Sequence, residues 1–278
     1  MTIERVLATE MWLLKPICEF IEGPGYTVFR SSRFRNYYGG NGLNIHEPRG
    51  GSLSEWEETF GQYFDSALYQ HTTFLFPHDE RFSRMVEEAR AARYHVSFDS
   101  YMFVGNDALC RPLPAGLVVH RVATEGDWEK LDTFYSRSYA EADWFDPEHN
   151  GPDRLAEKRR FTSSELGIDW FYLTRAGEEE VLAALGLFEH AGICRLQDVE
   201  TSAEHRRQGF ASVLVSAAID RALNTLGTQG LALCADSDYH AVDLYRKLGF
   251  VEVGATVTLM RYPIRNPLHM EEEKGVLA

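Results

Sequence analysis

The chain has 278 residues, of which 44% are hydrophobic and 25% charged, and this is enough for two soluble domains with sizeable cores. Its formal net charge of −14 argues against a general nucleic-acid binder, because such proteins use a basic face to neutralise phosphates. An acidic surface is compatible with a cationic amine substrate, although most acidic surfaces serve solubility.

The cysteines are scattered, with no Cys-x-x-Cys pair and no histidine at metal-binding spacing, so we expect reduced thiols and no bound metal. They are Cys18, Cys110, Cys194 and Cys234. No stretch is apolar enough to span a bilayer, and the first residues lack the pattern of a signal peptide. We therefore expect a cytoplasmic protein with no membrane partner.

Apolar residues at helical spacing predict a first helix, which Pro16 should kink or interrupt. Its apolar positions are Leu7, Met11, Leu14, Cys18 and Ile21. Two interpretations stay open for this apolar face: it packs on its own domain, or it forms the contact of a homodimer.

Extended and helical patterns then alternate up to residue 104. The runs 26–34 and 37–45 predict a β-hairpin, and Ser54 with Glu57 three residues later predicts the capping box of a helix. The predicted elements that follow are a strand at 72–76, a helix opening at 77–79 and a strand at 95–104.

Two prolines and a glycine between residues 110 and 116 predict an inter-domain linker. We place the linker at 112–116, between an amino-terminal α/β domain at 1–111 and a second domain at 117–265. The acidic tail at 266–278 is expected to be solvated.

The second domain begins with a strand at 117–122 and a helix that Thr124 and Asp127 open. The remaining predicted elements are a loop at 143–152, a helix at 154–166, a strand at 170–174, a hairpin of 181–188 with 193–201, a helix at 210–224, a strand at 231–235, a helix at 239–247 and a strand at 251–260.

A phosphate-binding turn is predicted between the strand at 193–201 and the helix that follows it. Arg206, Gln208, Gly209 and Ala211 lie where the helix opens. The first N–H groups of a helix lack intrahelical partners and carry the positive end of its dipole, and a glycine without Cβ lets an anion approach the backbone.

This spacing resembles the acyl-CoA pyrophosphate loop of the GNAT superfamily of N-acetyltransferases. A second block about thirty residues later, from Asp238 to Phe250, is similar to the family's second motif, with Ala241, Leu244-Tyr245 and Leu248-Gly249-Phe250 in register. The resemblance covers roughly residues 117–263. It implies an α/β fold with a mixed sheet, the GNAT fold, to which the amino-terminal α/β domain is an addition.

The resemblance also implies a set of contacts to acetyl-CoA as co-substrate. These residues are Val199, Glu200, Thr201, Arg206, Arg207, Gln208, Gly209, Phe210, Ala211, Ser212, Asp238 and Tyr245. Asp238 departs from the asparagine that many members have there, and a carboxylate cannot donate a hydrogen bond and would repel phosphates.

Two catalytic residues are predicted by the same resemblance. Tyr245 matches the family tyrosine that gives a proton to the departing thiolate, since a phenol with its reference pKa of about 10 is protonated at neutral pH; the alternative is a core tyrosine. Glu200 is a candidate base or an exposed strand carboxylate. Asp198 and His190 are further candidate bases, and strand parity does not choose among them.

The predicted function is transfer of an acetyl group from acetyl-CoA to the primary amine of a small molecule by direct attack. A protein or peptide acceptor is the second interpretation, and a non-catalytic acyl-CoA sensor is a third of a different class. Trp144, Phe145 and Tyr139 line the acceptor cleft in this interpretation, or belong to the core.

The amino-terminal part repeats the element order of the second domain, which raises the hypothesis of a degenerate GNAT-like half. Arg49, Gly50 and Gly51 stand before a helix, where the second domain has its phosphate loop, but without a full motif. The alternative is an unrelated α/β cap.

Overall fold

Eleven β-strands form one mixed sheet in the computed structural model, which describes residues 1–48, 52–140, 151–237 and 241–262. The strands are β1 (Glu19–Gly23), β2 (Tyr26–Arg30), β3 (Asn41–Ile45), β4 (Thr72–Pro77), β5 (His95–Val104), β6 (Leu117–Arg121), β7 (Asp169–Arg175), β8 (Ala183–His190), β9 (Ile193–Thr201), β10 (Leu231–Asp236) and β11 (Val251–Arg261). Their order across the sheet is β1-β2-β3-β4-β11-β5-β10-β9-β8-β7-β6.

Seven α-helices cover the described part of this sheet. They are α1 (Ile3–Leu14), α2 (Leu53–Gly61), α3 (Ser83–Ala91), α4 (Glu125–Tyr139), α5 (Pro152–Leu166), α6 (Phe210–Asp220) and α7 (Ala241–Lys247). Helix α1 packs on Ala232, whereas α6 and α7 pack with Leu231 and Leu233. Because neighbouring strand residues point to opposite faces, the sheet is covered on both sides. The predicted mixed α/β fold is confirmed.

The first helix is shorter than its apolar pattern predicts. Helix α1 ends at Leu14, and β1 begins at Glu19, so the predicted helical positions Cys18 and Ile21 lie outside it. Pro16 lacks the N–H that would continue the helical ladder. Ile21 instead pairs across the hairpin with Val28.

The capping box of α2 lies two residues earlier than predicted. The Glu55 carboxylate accepts the Ser52 N–H at 2.7 Å, which satisfies a donor at the helix start. Glu57 instead accepts the hydroxyl of Tyr94 at 2.7 Å and pairs with Arg261 at 3.0 Å. The prediction of Ser54 and Glu57 as the box was therefore wrong.

The two parts of the chain repeat one topology. Strands β1, β2 and β3 are antiparallel and β3 is parallel to β4, just as β7, β8 and β9 are antiparallel and β9 is parallel to β10. Helices α2 and α3 stand in the order of α6 and α7. The repeated element order is confirmed, while the segment 49–51 lies outside the described residues.

The two parts also exchange strands at the centre of the sheet. Strand β11 lies between β4 and β5, and β5 lies between β11 and β10, all antiparallel. Each part thus completes its sheet with a strand of the other. The domain boundary at 112–116 stays a prediction.

None of the helices in the described ranges is long and apolar enough to cross a membrane. All four cysteines lie within these ranges, and none forms a disulfide.

We expect Leu259→Ala to lower the free energy of unfolding by about 2–5 kcal/mol, because it leaves a cavity where β11 lies between β4 and β5. Leu259 is fully buried, whereas Val251 on the same strand is 61% exposed. Val251→Ala is the matched control, with an expected change within about 0.5 kcal/mol. Urea denaturation measures both, and equal effects would contradict the assigned place of β11.

Candidate active site

Strands β9 and β10 pair only at their beginnings and then diverge. Their register joins Cys194 with Leu231 and Arg195 with Ala232, and no further pair follows in the described residues. Strand β10 continues along β5 as far as Asp236. The gap beyond Arg195 opens the centre of the sheet beside the end of β9.

A β-bulge at Asp198 bends β9 where this gap opens. The register shows that β9 advances three residues, from Gln197 to Glu200, where β8 advances only two, so β9 carries one extra residue. Asp198 has a φ of 48°, in the left-handed region that aspartate tolerates better than most residues. The hydroxyl of Tyr135 donates to the Asp198 carbonyl, and the Gln197 side chain donates to its carboxylate at 2.7 Å. The bulge breaks the alternation of side chains, so parity could not predict which way Asp198 faces.

The predicted phosphate loop leads from the end of β9 into α6. Gly209 caps the helix with a φ of 88°, and a Cβ placed there would meet open space. The first helical hydrogen bond joins the Val213 N–H to the Gly209 carbonyl at 3.1 Å. The N–H groups of Phe210, Ala211 and Ser212 therefore precede the ladder and can bind an anion.

The side chains of the loop are open to solvent. Arg206, Arg207 and Gln208 are exposed, and Arg207 has a φ of 63°. The Arg206 guanidinium lies 3.4 Å from the Glu200 carboxylate, which also accepts the Thr201 N–H at 3.0 Å. Glu200 is thus tied to the loop, and it does not line the cavity described next.

A cavity of about 440 Å³ occupies the gap between β9 and β10. Asp198 and Val199 line it from β9, and Tyr245 lines it from α7. Tyr245 is 6% exposed and meets Phe250 edge to face, with 5.6 Å between ring centroids. Tyr245 therefore packs in the core and also lines the cavity, and its role as a proton donor stays a prediction.

The amino-terminal part supplies the opposite wall of this cavity. Glu10 of α1, Thr73 of β4 and Asp99 of β5 line it. Asp99 accepts hydrogen bonds from Thr258 at 2.7 Å and Ser97 at 2.9 Å, and its burial raises the pKa of the carboxyl above the ordinary value. Glu10 pairs with Arg195, which is 3% exposed.

Two further cavities adjoin the first. The nearer one, of about 250 Å³, shares Gly39, Asp198 and Met260 with it, and the outer one, of about 500 Å³, shares Tyr37 and Lys158 with the nearer. Together they form a cleft that leads from the gap to the surface between the two parts of the chain. Tyr139 lines the nearer cavity and also packs against the core, so both predicted alternatives stay open.

Several predicted residues have other surroundings. His190 stacks on Trp12, with 4.1 Å between ring centroids, and does not line the cleft. Asp238, Trp144 and Phe145 lie outside the described residues. The cleft residues Glu10, Tyr37, Asp99 and Lys158 were missed because they come from elements far apart in sequence. An acidic residue or lysine on a helix or strand carries no signal for such a site.

Comparison with known proteins identifies a family domain within the chain. Residues 132–250 match the profile of the acetyltransferase (GNAT) family. The comparison with curated proteins found no match.

Solved structures share the fold over most of the chain. A conserved protein of unknown function from Staphylococcus epidermidis ATCC 12228 has 12% identity and a TM-score of 0.70, over 89% of this chain and 95% of that one. A GCN5-related N-acetyltransferase from Kribbella flavida has 17% identity and a TM-score of 0.62, over 94% and 96%. A tandem GNAT protein from the clavulanic acid biosynthesis pathway has 12% identity and a TM-score of 0.55, over 87% and 84%.

At these identities the structures show the fold, and the family profile identifies the domain. Residues 132–250 therefore form an acetyltransferase domain of the GNAT family, the chain as a whole has the fold of GNAT proteins, and the protein is an acyltransferase.

Proposed function

We propose that this protein transfers the acetyl group of acetyl-CoA to the primary amine of a small molecule, by direct attack and in the cytoplasm. The observation that carries the proposal is the gap between β9 and β10, which holds a cavity beside Asp198 and Val199, while β9 leads on to the open amino terminus of α6. A phosphate seat and an acceptor cavity would thus lie along one strand.

The loop residues fit the pyrophosphate of the co-substrate. The N–H groups of residues 210–212 point from the helix start, and Gly209 has no Cβ to obstruct an anion. Arg206 and Arg207 add positive charge at the solvent side. Bound acetyl-CoA supplies an activated thioester. The β9 residues Val199, Glu200 and Thr201 would then hold its arm along the diverging strand.

Two proton transfers would accompany amine attack, and the cleft offers one group for each. Tyr245 would donate a proton to the departing thiolate, since it lines the gap from α7. Asp198 would hold the incoming ammonium and take part in its deprotonation, directly or through water. We prefer Asp198 to Glu200 as the proton acceptor because Asp198 lines both inner cavities, whereas Glu200 is paired with Arg206.

The size of the inner cavities favours a small acceptor over a protein one. The two inner cavities, of about 440 and 250 Å³, fall in the range of small-molecule sites and have walls from both parts of the chain. A non-catalytic sensor would not need Tyr245 in the gap.

The proposal is tested by calorimetric titration with acetyl-CoA, followed by thiol release as a panel of small amines and peptides is added. We expect binding and release with small amines. Binding without release from any amine would favour the sensor, release only with peptides would favour a protein acceptor, and no binding would contradict the assigned phosphate seat.

We expect Gly209→Glu to weaken CoA binding at least about 100-fold, because it places a side chain and a negative charge in the phosphate seat. Gly227→Glu is the matched control, since Gly227 also has a positive φ of 65° with open space around it, but follows the far end of α6. Calorimetry measures both. Tight CoA binding by the Gly209 variant would refute the loop assignment.

We expect Tyr245→Phe to lower kcat about 100-fold while leaving CoA affinity nearly unchanged, because it removes the proton donor and keeps the ring. Tyr63→Phe is the control, since its hydroxyl contacts Tyr26 and lies outside the cleft. Thiol release gives kcat and calorimetry gives the CoA affinity. Full turnover by the Tyr245 variant would show that this residue only packs in the core.

We expect Asp198→Asn to lower kcat/KM for the amine about 10- to 100-fold, because it removes the carboxylate that faces the ammonium. Asparagine also tolerates a positive φ, so the bulge is retained. Glu200→Gln separates the two candidate bases, with an expected change below about threefold. The reverse order of effects, measured against amine concentration and pH, would assign the base to Glu200.

A further inference from the structure

The cleft changes the sign of its charge from the gap to the surface. Carboxylates of Asp99, Asp198 and Asp236 line the inner cavity, and its guanidinium, Arg195, is occupied by Glu10. Lys158 lies farther out and lines the cavities of about 250 and 500 Å³. An elongated acceptor would thus meet negative charge at one end and positive charge at the other.

Lys158 differs from its neighbours on α5 because it has no ionic partner among the residues that the structure describes. On the same turn of α5, Arg159 pairs with Asp132 at 2.7 Å, and Arg160 pairs with Asp132 and Glu125. Lys158 forms no ion pair within the described ranges; its ammonium lies over the ring of Tyr37, 3.8 Å from the centroid. A half-buried lysine whose ammonium lies over a ring, with no ion pair to a described residue, retains capacity for an anion.

Burial lowers the pKa of Lys158 below its ordinary value, and the Asp198 carboxylate opposes that shift. A ligand carboxylate beside Nζ would offset the cost of burying the ammonium, so the two would stabilise each other.

The mouth of the cleft is basic although the chain carries a net charge of −14. The outer cavity is lined by Arg33, Arg35, Arg154 and Lys158, and no acidic side chain lines it in the described part of the chain. Arg33 and Arg154 both form salt bridges with Glu157, at 2.9 and 3.5 Å. Arg35 is exposed and forms no ion pair with the described residues. Such a local field would attract an anionic ligand to the mouth.

We propose that the acceptor carries a carboxylate besides its amine, as amino acids and short peptides do, with the carboxylate on Lys158 and the amino group directed to Asp198. This inference rests on the proposed acetyl transfer and names its substrate class. Tyr37, Tyr38 and Tyr139 line the stretch between the two charged ends and would contact the apolar part of the acceptor.

The test measures acetyl-CoA-dependent thiol release with matched pairs of acceptors: free amino acids and dipeptides against their carboxamides, with polyamines as the cationic comparison. For the wild-type enzyme we expect kcat/KM to be at least about tenfold higher for the free carboxylate than for the amide. Lys158→Met should remove this preference through a raised KM for the free carboxylate, and leave CoA affinity unchanged by calorimetry. Lys158→Arg should restore the preference.

Lys15→Met is the matched control, because Lys15 also lies over an aromatic ring, that of Trp12 at 4.5 Å, but lines none of the three cavities. The Lys15→Met variant should prefer the free carboxylate over the amide as strongly as the wild type does. Faster acetylation of amides or polyamines, or a preference unchanged in Lys158→Met, would overturn this inference and leave the acetyltransferase proposal intact. Absence of thiol release with every amine, despite bound acetyl-CoA, would overturn both.

Discussion

The antiparallel pairing of β5 with β11 is the constraint on which the rest of the structure depends. Each strand fills a place in the sheet of the other part, so the two repeated topologies share one set of backbone hydrogen bonds. The pairing places Asp99 and Thr258 in the same cavity as Tyr245. The cavity therefore has walls from both parts of the chain.

Strand β9 connects the cavity with the loop at the start of α6. Strand β9 is anchored at its start by β10 and by Arg195, which reaches Thr9 and Glu10 of α1. After the bulge at Asp198 it leaves β10 and leads to the start of α6. In the proposed function, anion binding at a helix start and acceptor binding in a gap would both follow from the path of a single strand.

Much of the local structure could be predicted from the sequence, because periodicity and turn chemistry act over a few residues. The strand at 95–104 and the start of α6 at Phe210 agree with their patterns. The predictions were wrong where contacts between distant residues determine the structure. Residues 19–23 form a strand and not the end of a helix because they pair with β2. Glu57 does not cap α2 because its carboxylate contacts Tyr94 and Arg261.

The sequence by itself determined the family of the carboxy-terminal domain, the glycine that opens α6 and the tyrosine of α7, since these rest on fixed spacings within short segments. Only the tertiary structure decided that β5 and β11 exchange places, that the bulge turns Asp198 toward the gap, and that Lys158 lies beside Tyr37 without an ion pair to any described residue. The physical reason is that charge and enclosure in a cleft depend on groups brought together by folding from α1, β5, α5 and β9, and no local pattern along the chain encodes their meeting.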